Sequence, residues 1–228
     1  RLMAAKTAFA AQGNRKGYLL ALAFLIETVS FRGRDVVPLQ ELADEAQDLL
    51  NSLGLDELPG ERALLLLQLG YVSAIRLGQP EKGHRLCRQA GWLASQLQSD
   101  DLSGLCTLYQ GLVLVWCGDF GQAEENCRSL SESPFITGRA ELQAMLEMGW
   151  VGMAAIKGDA QSAVDHLSLA QGTVERFGLT YLAPLALFYD VFLHLARKEH
   201  PQAEKACQRL SGYAAERDNP FLQARVLL

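Results

Sequence analysis

The sequence predicts an all-α chain, an α-solenoid of antiparallel helix pairs repeating about every forty residues. The first sign is a beat: Gly78, Gly118 and Gly158 stand forty residues apart, and Lys198 continues the register. The second is a stripe at fixed offsets from those marks. Five residues on come Gly83, Ala123, Ala163 and Ala203, all small; nine on come Cys87, Cys127, Leu167 and Cys207; twelve on come Ala90, Leu130, Ala170 and Leu210. Residues three and four apart share a helix face, so these offsets draw one apolar stripe. The third is turn chemistry at the marks themselves, Gly118-Asp119, Gly158-Asp159 and Gly78-Gln79-Pro80. Glycine ends a helix in the left-handed conformation, and Asp or a first-turn Pro starts the next. Helix, tight turn, helix, repeated, is the signature of a solenoid.

Taken in order, Leu2 to Gln12 reads as a helix stopped by Gly13-Asn14, and a long helix follows from about Arg15 to Phe31. Arg32-Gly33-Arg34-Asp35 connects it to a helix beginning near Pro38, with Leu39, Leu42, Ala43, Ala46, Leu49 and Leu50 on one side. This first unit is off the forty-residue register by about five residues, which predicts an enlarged turn within it; Leu53 to Gly60, with two Gly and Pro59, is the next connection. Regular units then run over 61–98, 101–132, 138–177 and 180–216. Ser131-Glu132-Ser133-Pro134 should shorten the second helix of its unit. Pro184 falls in a first turn, where its missing N–H costs nothing. Asn219-Pro220 opens a last helix. Packing should be continuous, so residues 1–228 are expected to form one helical-repeat domain. Neither end carries the polar capping face a solenoid needs, which suggests a piece of a longer chain.

Composition narrows the function. Of 228 residues, 49% are hydrophobic and 21% charged, with a net charge of −5 and both signs scattered. No basic cluster longer than a pair is present, which argues against direct nucleic-acid contact. The most apolar stretch, Ala63 to Ile75, is too short for a membrane span and contains Gln68 and Ser73. The five cysteines, Cys87, Cys106, Cys117, Cys127 and Cys207, are odd in number and lack CxxC spacing. They read as small buried hydrophobes in a reducing, cytoplasmic setting.

No reaction suggests itself. Phosphate-loop, dinucleotide-fold, nucleophile-elbow and HExxH motifs are all missing from the sequence. His84 and Cys87 could form half of a metal site, but no second pair at ligand spacing joins them. Acidic pairs such as Asp100-Asp101 and Glu124-Glu125 are placed at helix starts, where they complement the helix dipole. The expectation is a chain with no catalytic residues, no metal and no cofactor.

The aromatics suggest a surface. First helices of solenoid units usually line the concave face, and here they carry Tyr71, Tyr109, Trp116, Trp150, Phe188, Tyr189 and Phe192. Interhelix packing accounts for most of these side chains. If a groove exists there, Arg76, Tyr109, Trp116, Trp150 and Tyr189 are its candidates. Arg76 and Trp116 share the repeat position just before the turn glycine, and Tyr109 and Tyr189 share another.

The segment Leu108 to Leu130, with Gly111, Gly118-Asp119-Phe120, Ala123 and Cys127, resembles a tetratricopeptide repeat. The Met148 to Ala170 unit keeps the turn and the Ala but has Val151 and Ala160 at two motif positions. A forty-residue period departs from the thirty-four of true tetratricopeptides. It looks more like the longer superhelical repeats of maltose-activator-type bacterial regulators of the LuxR family. Ala8-Phe9-Ala10-Ala11-Gln12-Gly13-Asn14, followed by a long Ala/Leu helix, is similar to segments of that group. The resemblance implies a right-handed superhelix and a non-catalytic sensor within a multidomain transcriptional regulator. Such a module would bind a small inducer or partner protein and relay it to switch and DNA-binding domains elsewhere. The competing expectation is a constitutive scaffold holding an extended peptide or another subunit. Oligomeric state is not legible in these residues.

Overall fold

The computed structural model describes residues 1–32, 36–54 and 56–216; the connector at 33–35 and the helix expected at Asn219-Pro220 lie outside the described residues. Among the described residues the regular structure is entirely helical. The first three helices are α1 (Leu2–Ala11), α2 (Arg15–Arg32) and α3 (Val36–Ser52). Gly13-Asn14 ends α1, and Asn14 also caps α2, its side-chain oxygen accepting from Gly17 N at 2.9 Å. Then follow α4 (Pro59–Ile75), α5 (Pro80–Gln96), α6 (Asp100–Cys117), α7 (Phe120–Ser131), α8 (Ala140–Lys157), α9 (Ala160–Arg176), α10 (Ala183–Ala196) and α11 (His200–Glu216).

From α4 onward the turns keep a strict interval. Leu58, Gly78, Gln98, Gly118, Gly138, Gly158, Gly178 and Lys198 all have positive φ, each twenty residues after the one before. The turn bond recurs too: Ser99 N to Ala94 O, Asp119 N to Leu114 O, Asp159 N to Ala154 O, Leu179 N to Val174 O and Glu199 N to His194 O, at 2.9–3.4 Å. This six-to-one bond across a left-handed residue satisfies carbonyls that a helix end would otherwise leave open. Sequence reasoning located the turns at Gly78, Gly118, Gly158 and Lys198. Gln98, Gly138 and Gly178 divide the forty-residue intervals in half and Leu58 stands twenty residues before the first mark; Leu58 and Gln98 carry no glycine to mark them.

Helix starts follow the expected chemistry. Pro59 and Pro80 open α4 and α5, Ser99 Oγ accepts from Leu102 N at 3.3 Å, and Asp159 Oδ1 accepts from Ser162 N at 3.1 Å. The short helix α7 stops at Ser131, and Pro134–Ile136 forms a 3-10 turn capped by Ser133. Phe135 and Ile136 are buried there. Glu124 does not lie in a first turn, contrary to expectation. It sits in the second turn of α7 and pairs with Lys157 of α8 and Arg128.

Neighbouring helices pack in sequence order within two compact units, one of α1–α6 and one of α7–α11. In the first unit α4 and α5 approach backbone to backbone. A methyl on Gly70 would stand 2.9 Å from Gly83 O, and one on Gly83 would stand 2.5 Å from Gly70 O. Cys87, fully buried, closes the same contact. In the second unit Val151, Ala154 and Ala155 of α8 meet Ala163 and Leu167 of α9 and Leu193 of α10. Small residues let the axes approach, and each large apolar side chain buried there contributes about 1.5–3 kcal/mol. The predicted stripe is buried at every position except Cys207, which is partly exposed.

Candidate partner-binding groove

Helix α5 has two faces with opposite roles. Gly83, Leu86, Cys87, Ala90, Leu93 and Ala94 point inward. The helical period therefore turns Arg85, Arg88, Trp92 and Gln96 outward in one row, and all four are exposed. Beside this row lies a groove of about 1150 Å³, whose far wall is the start of α4, at Pro59, Arg62 and Leu66. A methyl on Gly60 would sit 3.8 Å from Leu97 Cδ1, so the start of α4 meets the end of α5 at the groove's apolar end.

The groove is polarised along its length. At the apolar end, Trp92 is 62% exposed and Leu97 40% exposed, next to Pro59 and Leu66. At the other end stand His84, Arg85 and Arg88, in the first half of α5. Neither Arg85 nor Arg88 makes an ion pair among the described residues. Arg62 is tied back through Nη1 to Gly54 O at 2.8 Å, which holds the preceding connection against α4. Cys117 closes the charged end, its thiol donating to Pro80 O at 3.5 Å.

The five residues singled out from sequence are divided between the two units. Arg76 and Tyr109 converge on α2. The Arg76 guanidinium donates to Ser30 O, and the Tyr109 hydroxyl donates to Glu27 Oε1 at 3.1 Å. Tyr109 is 3% exposed, packs edge-on against Tyr71 at 5.1 Å, and burial pushes its hydroxyl pKa well up. Gln68 Nε2 donates to the same Glu27 oxygen at 3.1 Å. Trp116 stands in the last turn of α6 and is 47% exposed.

In the second unit Trp150 is partly buried. Its ring stacks on His166 at 5.7 Å, and its Nε1–H donates to Ser131 Oγ at 3.4 Å. His166 in turn bonds Glu147 Oε2 at 2.6 Å. Tyr189 lies over Gly152, where an added methyl would stand 3.3 Å from the ring, and it packs against the α8–α9 core. Trp150 and Tyr189 thus engage separate partners.

The groove residues lie on α5, the second helix of its pair, whereas the expected concave face is that of the first helices. A signal was present: Trp92 stands on the polar side of the α5 period, where an aromatic has no core to fill.

Of the cysteines, Cys87, Cys106 and Cys127 are buried, Cys207 is intermediate and Cys117 exposed, so the uniform burial expected for them is corrected at Cys117. Among the described residues no three His, Cys, Asp or Glu side chains come together as a metal site. None of the described helices is long and apolar enough to cross a membrane. No protein-family model, curated protein or solved structure matches the chain.

Proposed function

We propose that this chain is a non-catalytic recognition module that holds a segment of a partner protein. The α4–α5 groove carries the reading: exposed Trp92 and Leu97 lie beside arginines that make no ion pair among the described residues, at a site larger than most small-molecule pockets of about 300–1,000 Å³. In this reading the scaffold is a tetratricopeptide-like α-solenoid of helix pairs with a forty-residue period, wound as a right-handed superhelix. Its support is the twenty-residue spacing of left-handed turns, two to a pair, together with the buried small-residue stripe.

A sensor role in a cytoplasmic transcriptional regulator rests on the resemblance of the forty-residue period and of residues 8–14. Signalling would require the partner to bind one arrangement of the helices more tightly than another, since equal affinity shifts nothing. A constitutive scaffold needs no such difference.

Selection of a displayed random-peptide library on the immobilised chain tests the recognition reading. Enriched peptides that bind the wild type and not Trp92→Ala are the expected result. Failure to enrich any would overturn it. A small metabolite that raises the melting temperature saturably, and loses this effect in Trp116→Ala or Trp150→Ala, would put a small-molecule sensor in its place.

A further inference from the structure

Resting on that reading, we infer that the α4–α5 groove takes an acidic linear peptide with an apolar anchor, carboxylates over Arg85 and Arg88 and the anchor against Trp92. Charge complementarity names the occupant. The chain is acidic overall, at −5, yet the row along α5 presents two exposed arginines that make no ion pair among the described residues, beside His84. Glu81 and Asp56 are the acids on the lining, and neither reaches a guanidinium of this row within ion-pair distance. An anion placed there meets both arginines at once.

The apolar end sets the second requirement. Trp92 and Leu97 expose large surfaces beside Pro59 and Leu66, forming a pocket for one bulky side chain. From Arg85 to Gln96 the row spans about 16 Å at 1.5 Å per residue. That length matches about five residues of extended chain or three turns of helix. Aromatic and arginine side chains in a desolvated patch dominate binding energy. The order is also specified, because Arg85 and Arg88 precede Trp92 and Leu97 along α5.

The test uses the 228-residue chain and three fluorescein-labelled peptides read by anisotropy. One carries a block of Asp and Glu followed by Leu-Phe-Leu, the second replaces its acids with Lys, and the third replaces its apolar block with Ser. Saturable binding of the first, about tenfold or more tighter than either control, is expected. Arg85→Glu/Arg88→Glu and Trp92→Ala should each weaken it by about tenfold at unchanged helical circular dichroism. Both changes are at exposed positions, so folding is retained, and Arg85→Lys/Arg88→Lys should keep most of the affinity. Equal binding of the acidic and Lys peptides overturns the inference, as does binding indifferent to the arginines. If Lys or Ser peptides bind best and Trp92→Ala abolishes them, the recognition module stands and its acidic specificity falls. If no peptide of any charge binds, both fall.

Discussion

The Tyr109 hydroxyl of α6 donates to Glu27 of α2 at 3.1 Å, joining residues 82 positions apart. Gln68 of α4, between them in sequence, donates to the same carboxylate oxygen. One acidic group therefore links three alternate helices. A hydroxyl so deeply buried acts first as an internal strut.

Tyr109→Phe keeps the ring contact with Tyr71 and removes one donor to Glu27. The expected loss is about 1–2 kcal/mol, the usual cost of depriving a buried polar group of a partner. Urea unfolding measures it. An unchanged midpoint would mean that Glu27 is satisfied without Tyr109.

The left-handed turns yield a paired prediction. A methyl added at Gly118 or Gly158 meets nothing within 4 Å, so Gly→Ala there costs backbone strain alone, about 1–2 kcal/mol. Lys198 has φ 58 at the equivalent turn, so Lys198→Gly should stabilise by roughly 0.5–1 kcal/mol. Opposite shifts in thermal melting are expected. Equal effects of both changes would show that these turns are not equivalent.

Close helix contacts predict larger losses. Gly83→Ala would put a methyl 2.5 Å from Gly70 O and 2.6 Å from the Ala74 methyl, both fixed in helix α4. Overpacking against backbone costs about 1–3 kcal/mol or more. Ala163→Glu forces a carboxylate into a fully buried site among Val151, Leu167 and Leu193, and should destabilise more severely. Chemical denaturation separates the two, and wild-type behaviour of either would refute the packing at that position.

Thiol chemistry gives a dependence on pH. Burial pushes Cys87, Cys106 and Cys127 each up to about 12. The folded chain keeps these protons where an unfolded thiol, at about 8.5, has lost them. Their contribution to stability is therefore complete below about pH 8.5 and lost as pH rises toward the folded value. Melting temperature should fall between those limits, less so in Cys→Ala variants at these positions. At pH 8 an aromatic disulfide reagent should label Cys117 ahead of the three buried thiols, although burial raises Cys117 as well. Labelling of Cys87 before Cys117 would contradict the burial.

Much of the fold was legible because its determinants are local. Gly78, Gly118 and Gly158 supply the left-handed turn that L side chains resist, Pro80 and Asp159 start the next helix, and small residues at fixed offsets mark the buried face. Gln98 and Lys198 enter the same conformation without glycine, held there by the six-to-one bonds of Ser99 and Glu199. Only Lys198 was found, because it continues the forty-residue count.

The site was legible in part. Arg76 and Tyr109 were picked as surface candidates, and both turn to α2, toward Ser30 and Glu27. Contacts across 46 and 82 positions leave no periodic trace in a sequence. Trp92, Arg85 and Arg88 share one helical face by period alone, so their row was readable from the sequence. That the row borders an open groove depends on where the start of α4 and its connection lie against α5. Sequence by itself determined the helices, most of their turns and the buried stripe, since backbone conformation and burial periodicity act within a few residues. Tertiary structure alone decided which polar groups meet and where a cleft remains, because those depend on distances between helices that local preferences do not set.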